Sequence, residues 1–294
     1  MKHLFILNPV AGKGKTMKLI PEIKELMEKH SFEFKIEITK APGHATEIAR
    51  EYSNKYPDLR IYAVGGDGTM NEVLQGMVGS GSYLGVVPAG TGNDFLKSFC
   101  SVMNPSRLLP VLIQAEAIPV DLCKINDRYF LNIASAGFDA DVVANTQYLK
   151  KLPFMQGKIA YIGGILLSLI RLKNVSATFS IDDEKIEMPG MLLSAFANGR
   201  FYGGGMLPAP EAVPDDGYLD VCLIKDMNRL GILRFFPRFI KGTHINMSEV
   251  TTRRCRTVRM ESPEPVHVNA DGELFEANKL DITLIHKGLM FIKP

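Results

Sequence analysis

Cysteine is scarce in this chain of 294 residues, and the four present, Cys100, Cys123, Cys222 and Cys255, stand far apart with no CxxC pair. That spacing excludes a disulfide framework and reads as reduced thiols in a cytoplasmic protein. The six histidines show no HExxH or other metal spacing. Long apolar runs are missing too. The longest, 159–170, lies between Lys158 and Arg171 and is interrupted by Gly163-Gly164, which is too short to cross a bilayer and reads as a buried helix. The apolar start is broken by Asn8-Pro9 before it reaches the length of a signal segment. There is no basic tail, low-complexity tract or internal repeat, and 34 Lys and Arg against 32 Asp and Glu leave a net charge of +2. Nothing in that balance points to nucleic acid as a partner. What is abundant is hydrophobic sequence, 46% of the residues, ample for the cores of the two domains that the length suggests.

The first 120 residues alternate strand and helix. Strands are expected over 4–7, 34–38, 60–64 and 83–87, and helices over 17–30, 45–56 and from Asn71 to Met77. This rhythm implies a parallel sheet covered on both faces. Near residue 118 the texture changes. Hairpin-like pairs, 120–125 with 128–134 and 177–181 with 185–188, flank Asn126-Asp127 and Asp182-Asp183-Glu184, and further strands are expected over 192–197, 219–224, 257–261, 266–269 and 280–285. Helices at 158–172 and 229–241 interrupt them. The second half therefore reads as an antiparallel sandwich or open barrel.

The run Gly65-Gly66-Asp67-Gly68-Thr69 is the most informative feature. It follows a strand and precedes a helix. Glycines at that place let backbone N–H groups approach a ligand, and the helix start favours phosphate. Asp67 would repel phosphate unless a divalent cation stands between them, as magnesium does in nucleotide sites. A plain glycine turn with Asp67 as a helix cap is the simpler alternative. Two other motifs fail: Gly14-Lys15-Thr16 lacks the first Walker A glycine, whose place holds Pro9, and the third glycine of a dinucleotide fingerprint is Met17. The loop 8–15 can still meet phosphate through its backbone and Lys13 or Lys15.

These loops do not stand alone. Asn8-Pro9-x-x-Gly12, the GGDGT run with Asn71-Glu72, Pro88-x-Gly90-Thr91-x-Asn93-Asp94, the segments 132–139 and 198–205, Asp215-Asp216-Gly217 and Asp271-Gly272-Glu273 follow in order along nearly the whole chain. The set resembles the diacylglycerol kinase catalytic family, which includes bacterial lipid kinases and the sphingosine and ceramide kinases. The resemblance implies a Rossmann-like α/β domain over 1–119 that binds ATP, with the last strand, about 287–294, returning to it. It also implies a β-sandwich domain over 120–286 that supplies the lipid side of a cleft. The implied reaction is transfer of the γ-phosphoryl group of Mg-ATP to a lipid hydroxyl, with diacylglycerol giving phosphatidic acid as the leading case.

By the match, Asn8, Pro9, Val10, Ala11, Gly12, Thr39, Gly66, Asp67, Gly68, Thr69, Met70, Asn71, Glu72 and Thr91 contact the nucleotide. Asp67 organises Mg²⁺, and Glu273 is the general base that takes the hydroxyl proton. A structural magnesium is implied at Asp216 with the carbonyls of Val213 and Tyr218, and Asp121 links that site to the centre. The residues alone fit an ordinary Asp-Gly turn equally well. Arg234, Arg238 and Lys241 fall on one helix face with Phe235, Phe236, Phe239 and Ile240 interleaved, a pattern that suits the inner face of an anionic membrane as well as core packing. The expected partner is a lipid at the membrane surface, with no nucleic acid; a homodimer is compatible. NAD kinase shares GGDGT and is the alternative enzyme. A non-catalytic nucleotide-binding regulator is the alternative outside catalysis.

Overall fold

The computed structural model describes residues 2–294 except Thr91, Pro153, Gln156 and Asn174. Strand β1 (His3–Leu7) is buried at every position, as a strand covered on both faces must be. It is followed by a short 3₁₀ segment, Ala11–Leu19, and α1 (Ile20–Lys29). Then come β2 (Phe34–Ile38), α2 (His44–Lys55), β3 (Arg60–Gly65), α3 (Asp67–Met77), β4 (Tyr83–Pro88), α4 (Pro105–Gln114) and β5 (Ala117–Ile125). Strands β2, β1, β3 and β4 lie side by side in that order and run parallel. The chain leaves β1 for one flank and returns to the other, so the order reverses between β1 and β3. Open sheets of this kind hold ligands at the carboxyl ends of the strands at such a reversal.

The second lobe contains β6 (Arg128–Phe130), β7 (Ile133–Gly137), α5 (Phe138–Leu149), α6 (Gly157–Ile170), β8 (Val175–Ile181), β9 (Glu184–Ala197), β10 (Leu219–Lys225), α7 (Arg229–Lys241), β11 (Val250–Cys255), β12 (Thr257–Ala270) and β13 (Glu273–Ile292). Its strands pair antiparallel. One core fills the sheet between β8, β9, β12 and β13, around Phe179, Phe196, Val268 and Ile282. A second lies under the helices, around Phe235, Phe239 and Leu193. The chain is thus an α/β lobe followed by a β-sandwich lobe. Strand β13 belongs to both: Ile282 to Ile285 pair with β5 near its outer end, and Met290 and Phe291 pair in parallel with Tyr83 and Leu84 of β4.

Several elements differ from the sequence reading. The helix expected over 17–30 begins only at Ile20, because Gly12, Lys13 and Gly14 hold left-handed dihedrals and a 3₁₀ turn follows them. Strands expected as separate pieces join into β9, β12 and β13, with register shifts inside β12 and β13 where the interrupting residues sit. Conversely, the expected strand over 128–134 is split into β6 and β7. Helices α4 and α5 have no counterpart in the sequence reading. Helix α4 carries Pro110 inside it but is started by Asn104, whose side chain accepts a hydrogen bond from the Arg107 amide, a strong cap. Helix α5 has polar residues on both sides of its pattern and is shaped by packing against α6 rather than by its own periodicity.

At the foot of the sheet His3 is buried, its ring stacked on Phe32 and Tyr62. Burial foremost, then the charges of Arg60 and Lys2, pulls its pKa down to about 4 from 6.5. Between those values the unfolded chain holds a proton that the folded chain does not. The imidazole's contribution to stability is therefore complete above its unfolded value and is lost as pH falls toward its folded one. Thermal unfolding from about pH 7 to about pH 4.5 should show a falling Tm, and His3→Phe should flatten that decline; an unchanged acid limb in the variant would remove His3 as its source.

Candidate functional site

Three loops meet at the carboxyl ends of β1, β3 and β4. Asn8 opens the first. Its amide donates to Thr69 Oγ1 at 3.1 Å, its Oδ1 accepts from the Val10 amide at 3.1 Å, and its carbonyl accepts from the buried Thr16 hydroxyl at 2.7 Å. The loop beyond runs through consecutive left-handed residues at Gly12, Lys13 and Gly14. A Cβ on Gly12 would stand 2.0 Å from the Ala89 carbonyl oxygen, so the loop presses on the end of β4 where no other residue fits. The second loop approaches the third as closely: a Cβ on Gly90 would lie 2.4 Å from Gly66 Cα.

Asp67 sits in the first turn of α3, with Gly66 as its cap. Its Oδ1 accepts from the Asp94 amide at 2.8 Å, and a Cβ on Gly92 would meet its Oδ2 at 2.2 Å. Burial, then the neighbouring Asp94 carboxylate, pushes the Asp67 carboxyl up. Asp94 is itself buried and accepts from Lys97 Nζ at 2.5 Å and from the Gly204 amide at 2.8 Å. Through that last bond the glycine loop 203–205 of the second lobe is tied to the first. Sequence reasoning gave Asp94 no role; its place in the third loop was the only signal.

Asn8, Pro9, Val10, Thr39, Thr69 and Glu72 line one cleft of about 550 Å³. Glu72 also accepts from the Ala45 amide at 3.2 Å, which fixes α2 against α3. Asn71 is buried and reaches the Tyr129 carbonyl at 3.4 Å, joining α3 to β6. Ala11, Gly66, Gly68 and Met70 lie in the same two loops. The expected contact Thr91 falls outside the described residues.

Facing these loops is the β12–β13 hairpin. Asp271 holds its turn at φ +47° and accepts from the amides of Leu131, Asn132 and Ile133 at 2.7, 3.2 and 2.9 Å. Burial outweighs those three bonds, and the Asp67 charge adds to it, so the Asp271 carboxyl is raised to about 6. Glu273 follows, exposed, and pairs in register with Ala270. Asp271 feels the Asp67 charge, so the turn that precedes Glu273 lies near the loop of Asp67.

Behind it lies an apolar cavity between α5, α6, α7 and β9, about 610 Å³ when the open space at its mouth is included. Tyr161, Ile165, Ile232, Phe235 and Phe239 form its walls, and Asp139, Tyr202 and Asn269 give it one polar end. Asn269 pairs with Leu274, one rung along the hairpin from Glu273. Asp139 is raised to about 6 by burial, with the Ser135 and Tyr202 hydroxyls opposing it. Those hydroxyls stand close, yet the Asp139 oxygens, the Tyr202 hydroxyl and Asn269 Oδ1 all lack a well-formed hydrogen bond. Buried polar atoms left this way are costly unless something supplies the partners. No sequence signal marked the cavity, since four distant segments contribute to it.

The acidic turn at Asp216 carries an ion pair. One Asp216 oxygen pairs with the Arg254 guanidinium and the other accepts from the Tyr218 amide at 3.0 Å. Arg254 lies over the Tyr218 ring, 4.7 Å from its centroid. Asp121 is brought to this turn: it is fully buried, accepts from the Gly217 amide at 2.6 Å and lies 2.7 Å from His286 Nδ1. Val213 and Tyr218 stand at the surface on either side. Asp216 thus meets a guanidinium and an amide, with Val213 and Tyr218, whose carbonyls the resemblance implies as its partners, beside it.

Known proteins share this arrangement. Residues 2–125 match the diacylglycerol kinase catalytic domain, and residues 132–288 match the YegS C-terminal NAD kinase beta sandwich-like domain. A diacylglycerol kinase of Mycobacterium tuberculosis is 29% identical over 296 residues, covering 98% of this chain and 94% of the relative. One from Staphylococcus carnosus is 30% identical, covering 91% and 87%. A crystal structure of a diacylglycerol kinase from Bacillus anthracis str. Sterne superposes with a TM-score of 0.78 at 24% identity over all of this chain and 97% of that one, a likeness of fold. A second structure from the same organism is 26% identical with a TM-score of 0.80, over 100% and 97%. With both of its lobes matched in order and relatives covered almost from end to end, the chain belongs to the diacylglycerol kinase family of lipid kinases.

Proposed function

We propose that the protein transfers the γ-phosphoryl group of ATP to the free hydroxyl of a lipid, with diacylglycerol as acceptor and phosphatidic acid as product. The observation that carries this reading is the apolar cavity with one polar end, made by Asp139, Tyr202 and Asn269. A molecule with a long apolar chain and a hydroxyl-bearing head matches both ends. ATP would lie over the loops of Asn8–Gly12, Thr39, Gly66–Glu72 and Thr91, its phosphates met by backbone N–H groups at the start of α3. Asp67 has the chemistry to hold the magnesium that ATP carries, since its buried carboxylate stands beside that of Asp94; when bound, that ion would screen the phosphate charge.

The lipid oxygen attacks the γ-phosphorus, the bond from that phosphorus to the bridging oxygen of ADP breaks, and Glu273 takes the hydroxyl proton. An exposed carboxylate on a turn clamped by Asp271 suits that task, being free to accept while its backbone is fixed. NAD kinase is named in the description of the matched second domain. NAD has no chain to fill an apolar cavity, which places it second.

Phosphoryl transfer from labelled ATP to diacylglycerol, sphingosine, ceramide, phosphatidylglycerol and NAD tests the reading, and label in NADP alone would reverse it. Glu273→Gln should lower kcat by about a thousandfold while leaving the fold and ATP binding intact; near-normal turnover would remove Glu273 as the base. Gly92→Ala should lower kcat by roughly tenfold to a hundredfold with little change in Tm, because the added methyl displaces the Asp67 carboxylate. Ile165→Trp should fill the cavity and depress turnover of long-chain diacylglycerol far more than that of a short-chain one. Equal losses on both acceptors would show that the chain does not enter there.

A further inference from the structure

Asp139 stands in the apolar cavity with no cation opposite it. Among the described residues, no Lys, Arg or His lines that cavity. Helix α7 faces it with Ile232, Phe235, Phe236 and Phe239, and β9 faces it with Leu192 and Leu193. The titratable groups beside Asp139 are Tyr161 on α6 and Tyr202 after β9; burial first, and then the Asp139 charge, pushes both phenols up. One turn half further along α5, Asp141 faces a different cleft, where it pairs with His267. Tyr202 and Asn269 are more than nine-tenths buried. The Tyr202 hydroxyl, Asn269 Oδ1 and both Asp139 oxygens are left without a well-formed hydrogen bond. Most of these unmet atoms accept hydrogen bonds rather than donate them.

A diacylglycerol brings further acceptors. It has two ester carbonyls, and its one donor is the hydroxyl that reacts. Inside the cavity the esters lose water, and an ionised Asp139 would meet them acceptor to acceptor. A carboxylate closed in by an acyl chain, with no cation beside it, is costly in its own right. One proton removes both conflicts. It neutralises the carboxyl and makes one oxygen a donor, while the other still accepts from the Tyr202 or Ser135 hydroxyl. Burial already raises Asp139 to about 6 against the pull of those two hydroxyls. Expulsion of water by the lipid acts in the same direction.

We propose that Asp139 reads the ester group of the acceptor: as the neutral acid it donates a hydrogen bond to an ester carbonyl, so that diacylglycerol binds together with a proton. This deepens the lipid-kinase reading, on which it rests, by naming what the polar end of the cavity recognises. The proton comes from solvent and returns to it when the product leaves. Asp139 is thus a specificity residue, separate from the transfer of the hydroxyl proton to Glu273.

Calorimetry of a short-chain diacylglycerol, without ATP and in two buffers of different ionisation enthalpy, counts the protons taken up. At about pH 7.5 the unaltered protein should take up about one proton for each lipid bound. Asp139→Asn, whose amide donates without a charge, should take up none. KM for diacylglycerol should rise by about tenfold for each pH unit above about pH 7, and the rise should vanish in Asp139→Asn. The unaltered protein should prefer the diester to the matching dialkyl ether by about tenfold in KM. Asp139→Asn should keep that preference and Asp139→Ala should lose it, a split that a merely structural carboxylate would not give. Diacylglycerol that does not bind, or binds with no proton uptake, overturns the proposal, as does an ester preference that survives in Asp139→Ala. If diacylglycerol is phosphorylated but takes up no proton, the kinase reading stands and the role of Asp139 falls. If it binds with its proton and is never phosphorylated, the kinase reading falls and the ester site stands.

Discussion

Asp67, Asp94 and Asp271 reach the cleft from three different loops, and their charges repel one another across it. The fold tolerates this because nearly every oxygen is met by a backbone amide: Asp67 by Asp94, Asp94 by Gly204, and Asp271 by the three consecutive amides of 131–133. One of them, from the Gly204 amide to Asp94, joins the lobes. Asp94 is therefore shared by the acidic centre and an interlobe bond. Three carboxylates gathered this closely suit a cationic or cation-bearing ligand better than a bare anion.

Much of the first lobe was legible because its strands are short, largely apolar and separated by helices with clear apolar stripes. The gathering of Asn8, Asp67 and the loop after β4 was legible too, since a parallel order with a reversal puts successive loops at one edge. What was hidden depended on partners far apart in the chain. Asp216 and Arg254 are 38 residues apart, and nothing in an Asp-Gly turn says that a guanidinium will occupy its carboxylate. Helix α5 was hidden for a related reason: it is specified by the closeness that Gly164 of α6 allows. Long strands such as β12 and β13 were read as fragments because a register shift interrupts the alternation that marks a strand.

The second lobe shows how burial and exposure divide one apolar helix. The sequence of α6 is apolar nearly all round, which reads as a buried helix. In the fold only two of its three sides are covered, and Ile159, Ile162, Leu166 and Ile170 along the third are exposed. Hydropathy alone does not register which side a fold leaves open.

Strand β13 opens at the hairpin of Glu273 and ends beside β4 in the other lobe. The α/β lobe is therefore the first to be synthesised and the last to be finished. While a ribosome builds the second lobe, the flank of β4 stays an open edge with unpaired backbone groups, and only the final stretch of chain closes it. The chain cannot mature as two beads in succession. Completion of the α/β lobe is instead coupled in time to completion of the β-sandwich lobe, so neither side of the cleft exists long without the other.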